Sequence, residues 1–155
     1  MTNLQARDVM SGEPATISPK AGVVDAARQM LDRHISGLPV VDDSGRLVGV
    51  ITEGDLLRRV EMGTEEQSDG SFFSSELARE FLKSHGKYVE DVMTTKVASV
   101  LPNTPLVEIA RLLQLMQLKR VPVIERGKVV GVVSRADILR VLVGSAAPVT
   151  ADAGP

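Results

Sequence analysis

The chain has 155 residues, 18 basic and 20 acidic side chains, a formal net charge of −2 and no cysteine. That balance argues against a general nucleic-acid binder, which needs a concentrated basic face, and without cysteine there is no disulfide scaffold or thiolate metal site. With no Trp, one Tyr and three Phe the core must be aliphatic; no apolar run approaches the roughly 18 residues of a membrane helix, and the start MTNLQARDVM lacks a signal-peptide core, so a soluble cytoplasmic protein is expected.

The chain is written twice. Asp8-Val9-Met10 returns as Asp91-Val92-Met93, and at the same offset of 83 residues Pro39-Val40 meet Pro122-Val123. One residue is then lost from the second copy, after which Gly45, Val48-Gly49-Val50, Asp55 and Leu57-Arg58 match Gly127, Val130-Gly131-Val132, Asp137 and Leu139-Arg140. Each copy predicts the same elements in order. A short strand (Ala15 to Ile17, or Ala98 to Val100) ends near a proline, which suits a strand edge. A helix follows with Val23, Val24, Ala27, Met30 and Leu31 at helical spacing, or Leu106, Ile109, Ala110, Leu113 and Met116. Then come a strand (Leu38 to Val41, or Val121 to Ile124), a short turn, and a second strand (Leu47 to Ile51, or Val129 to Val133). A last helix opens at Thr52 or Ser134.

Between the copies, Glu61, Glu65, Glu66 and Asp69 make an acidic stretch loosened by Gly63 and Gly70. A helix over Ser75 to Ser84 follows it. This divides the chain into a first motif over 4–60, an acidic linker plus helix over 61–87, a second motif over 88–143 and a flexible tail over 144–155. The expected fold class is α/β (α+β): two βαββα motifs packed with pseudo-two-fold symmetry through their sheets, because neither alone buries its helices and sheet well.

No catalytic constellation emerges. His34 and His85 are the only histidines; two unassisted imidazoles make no metal site, and solvated or capping roles are expected. There is no Walker A run or dinucleotide fingerprint. What repeats is Gly49-Val50-Ile51-Thr52-Glu53-Gly54-Asp55, matched by Gly131-Val132-Val133-Ser134-Arg135-Ala136-Asp137. A hydroxyl residue leaves a strand and opens a helix, with an Asp in the first turn. Free N–H groups beside that hydroxyl would suit phosphate, and the Asp would accept from both hydroxyls of a ribose. The same spacing also reads as a helix capping box, so ligand and cap remain two readings of one motif. The second copy adds Lys96, Lys119, Arg120 and Arg135, cations able to hold a polyphosphate. The first has Glu53, which repels phosphate. Occupancy is therefore expected first at Ser134 and Asp137.

The two Asp-Val-Met leaders, the runs Leu38-Pro39-Val40-Val41 and Val121-Pro122-Val123-Ile124, and the two Gly-x-x-(Thr/Ser)-x-x-Asp stretches together resemble a tandem CBS-domain protein, or Bateman module, across residues 4 to 143. The intervening stretch resembles the linker of bacterial stand-alone CBS-pair proteins, some of which continue into a small BON domain. The resemblance implies a non-catalytic regulatory module that binds AMP, ADP, ATP or S-adenosylmethionine. Thr52 and Ser134 match the phosphate-contacting hydroxyls, and Asp55 and Asp137 the ribose-binding acids. The backbone of Lys96, Val97 and Ala98 and of Arg120, Val121 and Pro122 matches the adenine walls. Glu13 to Ala15 and Gly37, Leu38 and Pro39 are their counterparts. The resemblance also implies a disc-like homodimer, with neither nucleic acid nor membrane as partner and with the downstream protein partner unknown. The alternative is a structural homodimerisation module with no small-molecule ligand.

Overall fold

The computed structural model describes residues 3–58 and 87–145. The acidic stretch, the helix expected over 75–84, His85 and most of the expected tail lie outside the described residues. The elements are α1 (Ala6–Val9), β1 (Ser11–Gly12), α2 (Val23–Arg33), β2 (Gly37–Val41), β3 (Leu47–Thr52), α3 (described over 53–58), α4 (Val89–Val92), α5 (Leu106–Leu115), β4 (Arg120–Glu125), β5 (Lys128–Ser134) and α6 (Arg135–Ser145). Two βαββα motifs of an α/β fold are present, each built on an antiparallel hairpin: β2 with β3, and β4 with β5.

The first strand of each motif is shorter than expected. Ala15 to Ile17 reduces to one parallel bridge, Ile17 to Val40, and Ala98 to Val100 reduces to Val100 against Val123. Ile17 donates to the Pro39 carbonyl (3.0 Å) and accepts from the Val41 N–H (2.9 Å). Val100 repeats this on Pro122 and Ile124 at 3.0 and 2.8 Å. Pro39 and Pro122 have no N–H, so the parallel segment uses their carbonyls.

The helices differ in phase from the sequence reading. In α2 the buried residues are Val23, Ala26 and Met30, while Val24 and Leu31 are exposed. In α5 they are Leu106, Ile109 and Leu113, while Met116 is exposed. The apolar stripe of each helix is wider than the face it buries. Both helices stop with a residue at positive φ, His34 (54°) and Gln117 (54°), at equivalent places in the repeat. His34 is thus a left-handed C-cap, its N–H bonded to carbonyls of the last turn.

The hairpin turns account for the one-residue difference between copies. In the second, Arg126 (φ 56°) and Gly127 (φ 82°) form a two-residue turn between Glu125 and Lys128. Two positive φ values match the right-handed twist of the flanking strands. The first copy uses a longer loop organised by Asp42, whose carboxylate accepts from the Ser44 N–H, the Ser44 hydroxyl and the Arg46 N–H at 2.9, 2.8 and 3.0 Å. The Arg46 amide, then the Ser44 hydroxyl, holds the Asp42 carboxyl below the usual carboxylate range.

The chain forms two compact units that do not coincide with the two copies. One takes the chain up to Pro14 together with everything from Ala98 on; the other runs from Ala15 to Val97. Each copy's hairpin therefore receives the leader of the other copy. In the first unit, α1 donates the N–H groups of Ala6 and Arg7 to the carbonyls of Thr104 and Pro102, and β1 pairs with β5 (Ser11 with Val132, Gly12 with Gly131). Ala6 joins a core of Leu106, Ile109, Leu113, Val121, Val123 and Val133. In the second unit, α4 brings Val89 to Ile17, Ala26, Met30, Leu38, Val40 and Ile51, and Thr94 pairs with Val50. The leader helices were not legible as helices. Each is four residues long, opened by Asp8 accepting from the Gln5 N–H (2.8 Å) or Asp91 from the Tyr88 N–H (3.1 Å).

Candidate functional site

The hydroxyl-x-x-Asp motif sits where a strand ends and a helix begins, and this is true in both units. Thr52 is the last residue of β3 and Ser134 the last of β5. Across the ladder, Gly37 is the register partner of Thr52 and Arg120 that of Ser134. The expected adenine walls, Gly37 to Pro39 and Arg120 to Pro122, therefore run beside the strand that delivers the hydroxyl. A backbone tie repeats too: Glu53 donates to the Ser36 carbonyl (2.9 Å) and Arg135 to the Lys119 carbonyl (3.0 Å).

The capping box is complete in both units. Thr52 donates its N–H to Asp55 Oδ2 at 2.8 Å, and the Asp55 N–H returns to Thr52 Oγ1 at 3.2 Å. Ser134 and Asp137 repeat this at 2.8 and 3.1 Å. An arginine three residues on closes each arrangement, Arg58 on Asp55 Oδ1 and Arg140 on Asp137 Oδ1, both at 2.6 Å. The surroundings then diverge. The Asp55 side chain is 4% exposed, against 12% for Asp137. Asp55 also receives the Thr52 hydroxyl on Oδ2 (3.0 Å) and the Thr94 hydroxyl on Oδ1 (3.2 Å).

Free N–H groups were expected at these helix starts, ready for phosphate. The cap and the strand-edge tie take the N–H groups of Ser134, Arg135 and Asp137, and those of Thr52, Glu53 and Asp55; these ties do not involve the Ala136 and Gly54 N–H groups. Arg135 was read as a phosphate-binding cation. Its guanidinium lies on main-chain carbonyls, Nε on Leu118 at 2.7 Å and a terminal nitrogen on Leu113 at 3.2 Å. Leu113 belongs to the last turn of α5, where exposed carbonyls favour a cation.

The remaining expected residues divide by unit. Ala15, Gly37, Leu38, Pro39, Thr52 and Asp55 fall in one; Ala98, Lys119, Arg120, Val121, Pro122, Ser134, Arg135 and Asp137 in the other. Lys96 and Val97 close the Ala15–Val97 unit, and Lys96 is exposed. Leu38, Val121 and Pro122 are buried, so their side chains serve the fold and only their backbone is offered to a ligand. Thr94 was missed. It lies 39 residues from Asp55, and its only trace in the sequence is its place after Asp91-Val92-Met93.

A separate open groove of about 480 Å³ is lined by Thr16, Ile17, Ser18, Asp25, Arg28 and Asp32 among others. It contains none of the expected ligand residues. Among the described residues no cluster of His, Cys, Asp or Glu could hold a metal ion, and no helix is long and apolar enough to cross a membrane.

Comparison with known proteins gives this geometry a context. The model of the CBS domain matches residues 6–61 and 89–144. The chloroplastic CBS domain-containing protein CBSX2 of Arabidopsis thaliana is 33% identical over 134 residues, covering 80% of this chain and 56% of that protein. The chain thus spans little more than half the length of this relative. A crystal structure of CBSX2 in complex with AMP superposes with a TM-score of 0.73 at 30% identity, covering 90% of this chain and 96% of that one. The CBS domain pair of protein MJ0100, in complex with 5′-methylthioadenosine and S-adenosyl-L-methionine, gives 0.69 at 26% identity, covering 92% and 98%.

Proposed function

The chain belongs to the CBS domain family, whose domains are regulatory and non-catalytic, and on that premise we propose that it is a sensor of an adenosine-containing ligand of the AMP, ADP, ATP or S-adenosylmethionine type. The observation that carries the reading is the repeated placement of a strand-end hydroxyl and a first-turn Asp beside the strand that opens Gly37-Leu38-Pro39 or Arg120-Val121-Pro122. The carboxylate is an acceptor for ribose hydroxyls, the strand-end hydroxyl a donor for phosphate, and the strand backbone a partner for the edge of adenine. Relatives crystallised with AMP, or with 5′-methylthioadenosine and S-adenosylmethionine, support the ligand class. Ligand binding acts as a signal if it favours one packing of the module over another.

The test is thermal unfolding with each ligand in turn. A ligand at one hundred times its Kd stabilises the folded state by about 2.7 kcal/mol, a rise of several degrees in Tm. At least one of AMP, ADP, ATP and S-adenosylmethionine is expected to do so. An unchanged Tm with all four would overturn the reading in favour of the purely structural one.

A homodimer is the second part of the proposal. Large aliphatic side chains stand exposed at equivalent positions of the repeat, Val24 with Val107 and Leu57 with Leu139, joined by Leu31 and Leu115. In one unit α5 and α6, which carry three of these, pack together. Exposed large aliphatics recurring in each unit suit an interaction surface, and an internal repeat suits a second copy of the same chain. Sedimentation equilibrium is expected to give twice 16.6 kDa. The paired change Leu57→Glu and Leu139→Glu is expected to give the single-chain mass. A monomeric wild-type protein at micromolar concentration would contradict this.

A further inference from the structure

We infer that the two adenosine sites are unequal and that Thr94 sets the difference, by filling the acceptor position of Asp55 that a ribose would need; the inference rests on the adenosine reading above. A carboxylate offers about four lone-pair positions. Around Asp55 four donors converge: the N–H and hydroxyl of Thr52 on Oδ2, and the Arg58 guanidinium and Thr94 hydroxyl on Oδ1. Around Asp137, among the described residues, the donors are the Ser134 N–H and the Arg140 guanidinium. A ribose cis-diol brings two O–H donors. Asp137 has room for both, whereas Asp55 must first release a partner.

Thr94 is held in place by its backbone and by its side-chain type. Its N–H and carbonyl both pair with Val50, at 2.8 and 2.9 Å. Gly49 lets it come this close, since a Cβ there would stand 2.9 Å from the Thr94 carbonyl oxygen. Being β-branched, it has few χ1 positions, which keeps the hydroxyl aimed at Asp55. The repeat puts Ser11 at the matching place, paired with Val132 in β1. Serine lacks the methyl group that restricts threonine, and among the described residues Asp137 receives no bond from the Ser11 hydroxyl. The exchange of leaders between copies thus brings a hydroxyl that closes one carboxylate and a serine that leaves the other open.

The alternative is that Thr94 only reinforces a helix cap, which predicts a change in stability and none in ligand stoichiometry. Calorimetric titration with adenosine and with AMP separates the two, and adenosine carries no phosphate for Glu53 to repel. Wild-type protein is expected to bind one adenosine per chain, lost in Asp137→Asn. Thr94→Val is expected to add a second site, retained when combined with Asp137→Asn. Thr94→Ser gives this leader the serine of the other and is expected to open the second site as Thr94→Val does. Two equal sites in the wild type, or one site in both Thr94→Val and wild type, would overturn the inference while leaving the adenosine reading intact. Binding of neither ligand to any variant would overturn both.

Discussion

Asp55→Ala is expected to lower the unfolding free energy by about 2–4 kcal/mol, roughly twice the loss from Asp137→Ala. Both changes remove a helix cap, which costs about 0.5–2 kcal/mol. Only at Asp55 does the loss also remove two further hydrogen bonds to a nearly buried carboxylate. The Thr94 and Thr52 hydroxyls both donate to it; Thr94 is exposed and Thr52 half-buried, so each lost bond counts at its net worth, about 0.5–1.5 kcal/mol. The arginines do not create the difference. Arg58 and Arg140 are 65% and 73% exposed, so solvent screens each ion pair to a minor contribution. Urea unfolding measures this directly, provided the slope m is unchanged between variants. Equal losses at the two positions would show that the extra hydroxyls add nothing to the cap.

Gly131→Ala and Gly49→Ala are expected to cost about 1–3 kcal/mol each, the range for forcing atoms into a filled space. A Cβ at Gly131 would lie 2.5 Å from Met10 Sδ, 2.8 Å from its Cγ and 3.0 Å from the Ser11 carbonyl oxygen. At Gly49 it would lie 2.7 Å from Met93 Sδ and 2.9 Å from the Thr94 carbonyl oxygen. Each glycine is thus the seat of the leader methionine, and an added methyl must displace either the thioether or the leader's backbone. Both sites should respond to a second change. Shortening Met10 to Ala in the Gly131→Ala background, or Met93 to Ala in the Gly49→Ala background, relieves the closest contact, so each pair of substitutions should cost less than the sum of its parts. Part of the cost persists in both, because the carbonyl oxygens of Ser11 and Thr94 stay within 3.0 and 2.9 Å of the added Cβ. Strict additivity in both double variants would remove the methionine seat from the account.

Those glycines and methionines also mark where reading the sequence reaches its limit. The repeat was plain because it is spelled out twice, and the hairpins followed from β-branched runs around a turn. Thr52-x-x-Asp55 and Ser134-x-x-Asp137 were legible as caps because the interaction is local, three residues apart. The leader exchange was not legible. Asp8-Val9-Met10 and Asp91-Val92-Met93 are identical, so the local sequence does not say which hairpin each joins. The phase of α2 was blurred because Val24 and Leu31 extend its apolar stripe past the face that Val23, Ala26 and Met30 bury. Arg135 looked like a phosphate ligand by its place in the motif. Its bonds to Leu113 and Leu118 depend on where α5 ends relative to β5, which spacing does not reveal. Thr94 belongs to the same class: a contact across 39 residues becomes visible only when the leader is in place.

Because the residue proposed to receive the ribose is also the helix cap, a loss of binding in an Ala variant would confound folding with recognition. Asp137→Asn avoids this. Its side-chain oxygen still accepts from the Ser134 N–H, while an NH2 replaces the other oxygen and no longer accepts from a ribose hydroxyl. The most direct measurement is therefore calorimetric titration of AMP and of S-adenosylmethionine into the wild-type chain and into Asp137→Asn, each first shown to unfold cooperatively. Saturable binding of at least one ligand by the wild type, weakened tenfold or more in Asp137→Asn, is the predicted result. Equal affinity in the two proteins, or no saturable heat from a folded wild type with either ligand, would contradict the claim that Asp137 receives an adenosine ligand.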